Sequence, residues 1–330
     1  AALVTGCDMI DRYYEPLARS QLLAPTLVEH TQVVAIGRRG LLKGEALTTS
    51  ERAAVPFLLR LRTADGNERS AEADVVIDAT GTFGNPNWLG EGGIPASGES
   101  ALRDQIESGL PDVLGGQREK YARNHTLVVG AGFSAATTTV ALARLACEFR
   151  GTRVTWITRA DEPAGPASPI ARIQADRLPL RDQLAAAANE LACGSSGAIT
   201  HLPGTTVGAI QQSGRQGAIS VQFAGRHERE EAFDRIVANV GYRPDRSLYE
   251  ELHVHECYAT GGPMRLAASL VKTASADCLD QKSTGPESLI TTEPNFFILG
   301  SKSYGRLSRR FLLANGLAQV NDLFTMLKSS

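Results

Sequence analysis

The chain has 330 residues, enough for two domains of ordinary size, and 42% of them are hydrophobic, enough to bury a sizeable core. With 34 Lys and Arg against 36 Asp and Glu the net charge is −2, and no basic block offers a strip of phosphate-neutralising charge, which argues against a nucleic-acid partner. No apolar run approaches the roughly 20 residues that cross a bilayer, and no basic flank with an apolar core opens the chain, so no membrane partner and a cytoplasmic location are expected.

The five cysteines, Cys7, Cys147, Cys193, Cys257 and Cys278, are odd in number and scattered. No C-x-x-C pair occurs, which removes both a closely spaced redox dithiol and a zinc ribbon. The chain opens on "AALVTGCDMIDRYYEPLARSQLL", an amphipathic helix preceded by one glycine, Gly6. A strand pattern follows from Thr31, and a hairpin is predicted over "FLLRLRTADGNERSAEA". "DVVIDATG", Asp74 to Gly81, reads as a strand ending at a glycine exit, with Pro86 beyond it. The Gly-, Pro- and Ser-rich stretch "GTFGNPNWLGEGGIPASGES" is irregular loop.

"HTLVVGAGFSAATTTVALARL" then joins a buried-strand pattern to an alanine-rich helix through Gly130, Gly132 and Ala135, in the spacing G-x-G-x-x-A. The first glycine permits the tight turn, the second lets a pyrophosphate reach the backbone, and the alanine lets helix pack on strand. The helix N-terminus adds its N–H groups and dipole, so this is the candidate dinucleotide turn. Ser134 reads as a helix N-cap, as a group near the pyrophosphate, or as both. The next strand, "RVTWITR", ends in Thr158 and Arg159, where an NAD site places an acidic residue on the ribose. A guanidinium and a hydroxyl suit the extra phosphate of NADPH; the alternative is a solvated arginine beside Asp161 and Glu162.

An internal repeat runs through the chain. Thr31, Val33, Ala35 and Ile36 recur at one offset as Thr205, Val207, Ala209 and Ile210. "DVVIDATG" is matched by "DRIVANVG", Asp234 to Gly241, with Pro244 after it, and "ISVQFAGRHEREEAF" supplies the second hairpin. The second copy has its glycine turn at Gly130; the first has none upstream of Thr31, so its opening strand, turn and helix are expected to be missing from these residues. Later, "HVHEC" sets His253, His255 and Cys257 on one face if extended, either a metal trio or solvated strand residues; no fourth ligand is near, and no metal is assigned.

These motifs, in this order, resemble the two-dinucleotide-binding-domain flavoproteins, and especially their flavin-containing monooxygenase-like and N-hydroxylase-like branch. "ADVVIDATGTFGNP" resembles the family's hinge out of the flavin domain, "VVGAGFSA" with "VTWITR" its NADPH site, and "VANVGYRPD" the exit from the NADPH domain. "FFILGSKSYGRLSRRFLLANGLAQV" resembles its closing strand, glycine turn and helix. The resemblance implies an α/β fold of two Rossmann-like, three-layer domains, with the NADPH domain (122–245) inserted into a discontinuous, N-terminally incomplete flavin-type domain (1–112 and 285–330) and 246–284 connecting. It implies NADPH and FAD as cofactors, with FAD against Thr80, Gly81 and Gly300, and the strands ending at Gly81 and Gly300 side by side. Without a leading phosphate turn, FAD binding by this chain is expected to be weak or absent. The implied function is an NADPH-dependent flavoprotein oxidoreductase, monooxygenase-like, acting on a small molecule; the alternative is a non-catalytic NADP(H)-binding remnant or sensor. The F-x-G-x-x-x-H fingerprint of ketone-oxidising members is absent. Ser303, Tyr304 and Arg306 either line the substrate side or belong to a loop capping the last helix at Ser308.

Overall fold

The computed structural model describes residues 4–47, 49–160, 168–194, 197–214, 217–272, 279 and 284–329. The strands in the first half are β1 (Thr31–Arg38), β2 (Phe57–Thr63), β3 (Glu68–Ala73), β4 (Val76–Asp78), β5 (Ile106–Glu107), β6 (His125–Val129) and β7 (Arg153–Ile157). They continue as β8 (Ile199–Leu202), β9 (Thr205–Gln212), β10 (Ile219–Gly225), β11 (Arg229–Phe233), β12 (Arg235–Ala238) and β13 (Phe296–Ile298). Four longer helices are α1 (Phe133–Glu148), α2 (Pro179–Cys193), α3 (Met264–Lys272) and α4 (Leu313–Ser329). The chain forms two compact units, Ala1–Asp78 with Arg246–His255 and Ile290–Phe297, and Ala79–Asp245 with Glu256–Leu289 and Ile298–Ser330.

In the first unit β1, β2 and β3 form an antiparallel meander, as the repeat and hairpin signals predict. β4 neighbours β13, bringing together the strands that run to Gly81 and Gly300. Beneath them Phe57 and Tyr249 pack on Phe296, and the Arg38 guanidinium lies 3.6 Å from the Phe57 ring centroid. Arg38 and Arg52, both buried, converge on the buried Glu293 at 2.8 and 3.1 Å. Burial alone would raise the Glu293 pKa, but the His253 N–H and the two guanidinium groups outweigh it and hold the carboxyl below its ordinary value. The N-terminal helical turns, Gly6–Met9 through Glu15–Ala18, bury none of their residues.

The second unit is built on a parallel sheet in the order β5-β12-β6-β7-β8. Every residue of β6 is buried, which is why Leu127, Val128 and Val129 follow one another without polar alternation. Successive side chains still point to opposite faces. Val128 joins Trp156, Leu142, Leu145 and Ala188 on the helix side, while Leu127 and Val129 meet Ile157, Val207, Val221 and Phe233 of the opposite cluster. The layers are therefore helices α1 and α2, the parallel sheet, and the antiparallel meander β9–β11. Helix α1 turns Ala135, Thr138, Thr139, Leu142 and Leu145 inward at the three- and four-residue spacing of one helical stripe.

The repeat is structural. β1 and β9 begin at the paired residues Thr31 and Thr205, and each carries a register shift at the same place, between Val33 and Ala35 in one and between their counterparts Val207 and Ala209 in the other. The fold is α/β and three-layered, as the sequence predicts. No helix among the described residues is long and apolar enough to cross a membrane.

Candidate functional site

The turn between β6 and α1 admits only glycine at its first position. Gly130 has φ +139°, and a Cβ there would stand 2.3 Å from the Asn239 carbonyl oxygen and 3.6 Å from the Ala135 Cβ. Ala135 is fully buried, so helix and strand meet closely at that point. Gly132 caps α1 with extended backbone, without a side-chain hydrogen bond, and a Cβ there would meet nothing within 4 Å. The first-turn N–H groups of a 16-residue helix have no intrahelical partner, and the Gly132 Cβ position beside them is open. Ser134 is the second helical residue and exposed, so it is not the N-cap; that position belongs to Gly132.

Several groups fix this turn. The Trp156 indole donates to the Gly130 carbonyl at 2.8 Å, and Gly130 N–H donates to Ile157 at 3.2 Å. Buried Asn239 donates its backbone N–H to Val129, accepts from Thr138 Oγ1 at 2.9 Å and donates its amide to the Gly109 carbonyl at 2.9 Å. Asn239 escaped the sequence reading; its one signal is an amide set among the apolar residues of "IVANVG".

At the end of β7, Thr158 is buried, with its hydroxyl 3.0 Å from His201 Nε2. Burial, helped by the charge of His227, pushes His201 down to about 4, so the ring is neutral near pH 7. The threonine hydroxyl is accordingly engaged within the protein. Arg159 is exposed, and no acidic residue replaces it at the strand end. Asp161 and Glu162 lie outside the described residues.

The three positions implied for flavin come together in the second unit. Thr80 is exposed and accepts at Oγ1 from the Nζ of buried Lys302 at 3.1 Å. Gly81 has φ +71°, and a Cβ there would lie 3.5 Å from Ser301 Oγ. Gly300, φ +75°, donates its N–H to Gln319 Oε1 at 2.8 Å and leaves open space at its Cβ position. Ser303 is 1% exposed, donating to the Gly300 carbonyl and accepting from Gln319, and Tyr304 is buried edge-on against Phe311. Neither side chain lines an open face, because Ser303 is bonded to the Gly300 turn and Tyr304 packs with Leu266, Leu270 and Phe311; Arg306 alone of that trio is exposed. Ser308 lies inside the 3-10 run Gly300–Arg310 and does not cap α4, which starts at Leu313.

No group of three or more His, Cys, Asp or Glu able to hold a metal occurs among the described residues. His253 and His255 donate their backbone N–H groups to Glu293 and Thr292. The open glycine turn fits a dinucleotide pyrophosphate, and Arg159 fits a cation site for an extra phosphate. Thr80, Gly81 and Gly300 offer an exposed hydroxyl and side-chain-free backbone, which fits contact with a flat ring system. Among the described residues only β6 runs directly through a glycine turn into an α-helix.

A family model described as pyridine nucleotide-disulphide oxidoreductase matches residues 29–262. No curated protein matches the sequence. The bacillithiol disulfide reductase Bdr of Bacillus cereus superposes with a TM-score of 0.64 at 18% identity, covering 100% of this chain and 81% of that one. Thioredoxin reductase of T. acidophilum gives 0.54 at 16% identity, over 94% of this chain and 80% of its own. DfoA, the desferrioxamine-pathway cadaverine monooxygenase of Erwinia amylovora solved with FAD, gives 0.54 at 12%, over 99% and 79%. At these identities the likeness shows the fold.

Proposed function

Because the chain belongs to the pyridine nucleotide-disulphide oxidoreductase family, we propose that it is an NADPH-dependent flavoprotein oxidoreductase of the monooxygenase-like kind. The nucleotide assignment rests on the Gly130–Gly132 turn, whose first glycine is sterically required and whose second leaves open space at a helix N-terminus. The preference for NADPH over NADH rests on Arg159 at the end of β7. In this reading the pair of cofactors supplies hydride transfer from nicotinamide to flavin and then reaction with oxygen.

The protein's part is binding and placement. The α1 N–H groups hold the pyrophosphate, Ala135 lets the helix sit close enough to do so, and Trp156 and Asn239 keep the turn from relaxing. Lys302 orients the Thr80 hydroxyl, and the Gln319–Ser303 pair holds the Gly300 turn open on the flavin side. The same fold serves named disulfide reductases and a named monooxygenase, so the choice between them turns on the thiols. The observation that supports the monooxygenase-like reading is the sequence spacing of the five cysteines, none of which forms the C-x-x-C pair of a closely spaced dithiol relay.

The test is NADPH consumption by the full chain in air with FAD supplied. Oxygen uptake matching NADPH oxidation is expected. NADPH-driven reduction of a low-molecular-weight disulfide without oxygen uptake would assign the chain to the reductases instead.

A further inference from the structure

Beyond the two glycine exits the second unit carries a cluster that nucleotide binding does not use. Arg103 and Arg243 flank the Trp88 ring, their guanidinium carbons 4.4 and 5.1 Å from its centroid. Arg306 donates to Asn87 Oδ1 at 3.3 Å and Arg103 to the Asn87 carbonyl at 3.4 Å, while Arg243 Nε donates to Asn85 Oδ1 at 3.2 Å. Three guanidinium groups therefore converge on the short stretch from Asn85 to Trp88.

A carboxylate set against them is Glu99. Glu99 pairs with Arg103 at 2.9 Å, but it also accepts the backbone N–H groups of Leu89 and Ala96 and is itself fully buried. The remaining acceptors named above are neutral amides and carbonyls. Burial, then Arg306, then Arg103 disfavour charge on Arg243, and only Glu99 opposes them. Like charges held this close are relieved by an anion, and the planar guanidinium is the side chain best matched to a carboxylate or phosphate.

The cluster also has a definite place in the fold. Asn87 N–H donates to the Gly241 carbonyl at 3.0 Å, and its amide donates to Val240 at 3.0 Å. Arg243 lies just beyond Gly241 on the exit from β12, and Arg306 just beyond the Gly300 turn. The three arginines thus come from the 3-10 helix Glu99–Gln105, the exit after Gly241 and the segment after Gly300, the last of which also holds one of the positions implied for flavin.

We propose that Arg103, Arg243 and Arg306, with Trp88 and Asn87 as their wall, bind the anionic group, carboxylate or phosphate, of the small-molecule substrate. Anion binding follows from the cluster itself; calling the anion a substrate rests on the oxidoreductase reading.

Trp88 is half-buried with two of the arginines over its ring, so it reports on the site, whereas the chain's other tryptophan, Trp156, is fully buried in the core. Titration of the full chain with succinate, and separately with inorganic phosphate, at ionic strength held constant with sodium chloride, is expected to give a saturable change in intrinsic fluorescence. Trp88→Phe should abolish the signal. Arg306→Gln, at an exposed position, and Arg243→Gln should each weaken binding by about tenfold or more, as loss of a charge-assisted hydrogen bond does. NADPH affinity, measured in the same samples, should stay unchanged in both variants. No saturable signal with either anion, or unchanged affinity in Arg306→Gln, would overturn the site. Displacement of succinate by NADPH would assign the cluster to the nucleotide and overturn the substrate role. Failure of the wild-type chain to bind NADPH at all would instead strike the cofactor reading, leaving the anion titration to stand or fall by itself.

Discussion

Two glycines two residues apart should fail in opposite ways. In Gly130→Ala the new methyl would stand 2.3 Å from the Asn239 carbonyl oxygen and 2.9 Å from its carbon, at φ +139°. The clash is with backbone that cannot swing aside, because Asn239 is tied to Val129, Thr138 and Gly109. A glycine-only backbone conformation costs about 1–3 kcal/mol for another residue, and forced overpacking about 1–3 kcal/mol more. A loss of about 2–6 kcal/mol is expected, which for a unit of this size lowers the melting temperature by roughly ten degrees. Gly132→Val meets no neighbour within 4 Å and starts from a φ of −104°, so its cost is a less favourable helix cap, about 1 kcal/mol or less. Its side chain would nevertheless fill the space through which a pyrophosphate reaches the α1 N–H groups, and NADPH affinity should fall by about tenfold or more. Thermal unfolding followed by far-UV circular dichroism, with NADPH titration by nicotinamide fluorescence, reads both. Wild-type NADPH affinity in Gly132→Val, or a wild-type melting temperature in Gly130→Ala, would refute the reasoning.

Arg159→Ala should cost about 1.5–3 kcal/mol of NADPH binding and leave NADH nearly unaffected in parallel titrations; equal losses would remove Arg159 from phosphate recognition. Glu293→Gln leaves Arg38 and Arg52 buried without their carboxylate and should destabilise by about 3–5 kcal/mol in denaturant unfolding, a change under about 1 kcal/mol contradicting the triad's role. For His201 the folded pKa, about 4, lies below the 6.5 of an unperturbed histidine. Its stabilisation is therefore complete above pH 6.5 and lost as pH falls toward 4, because the unfolded chain takes up the proton first. The full shift corresponds to about 3 kcal/mol, which solvent screening of this partly exposed ring reduces to the order of 1–2 kcal/mol. Unfolding midpoints across that window should flatten in His201→Gln; an unchanged slope would exclude the imidazole.

What the sequence revealed was local or periodic. β6 was legible because Leu127, Val128 and Val129 run apolar without alternation, as a strand buried on both faces requires, and its turn because glycine spacing there answers to backbone geometry. The paired meanders were legible as a repeat because both copies keep the same register shift between Val33 and Ala35 and between Val207 and Ala209. What stayed hidden was built by residues far apart in the chain. Glu293 and Arg38 meet across 255 positions, and nothing near either one announces the other. Asn239 holds the nucleotide turn from a different strand, and the arginine cluster draws on three separate segments. Ser303 and Tyr304 stand beside a functional turn in sequence, yet packing against Gln319 and Phe311 turns them inward, an outcome only tertiary contacts decide. The bond between Thr158 and His201, on the next strand of the sheet, is likewise invisible in the sequence.

The central claim is hydride transfer from NADPH bound at the Gly130 turn to a flavin placed by Thr80, Gly81 and Gly300. Because the described residues hold no second glycine turn for the FAD pyrophosphate, FAD is expected to bind weakly, and the claim is tested most directly by mixing the full chain anaerobically with NADPH and FAD in large excess and following the flavin's visible absorption band. Bleaching faster than that of FAD and NADPH without protein, absent in Gly132→Val and slower with NADH, is the expected result. An unbleached band while NADPH binding is demonstrated in the same sample, or bleaching indifferent to Gly132→Val, would contradict it.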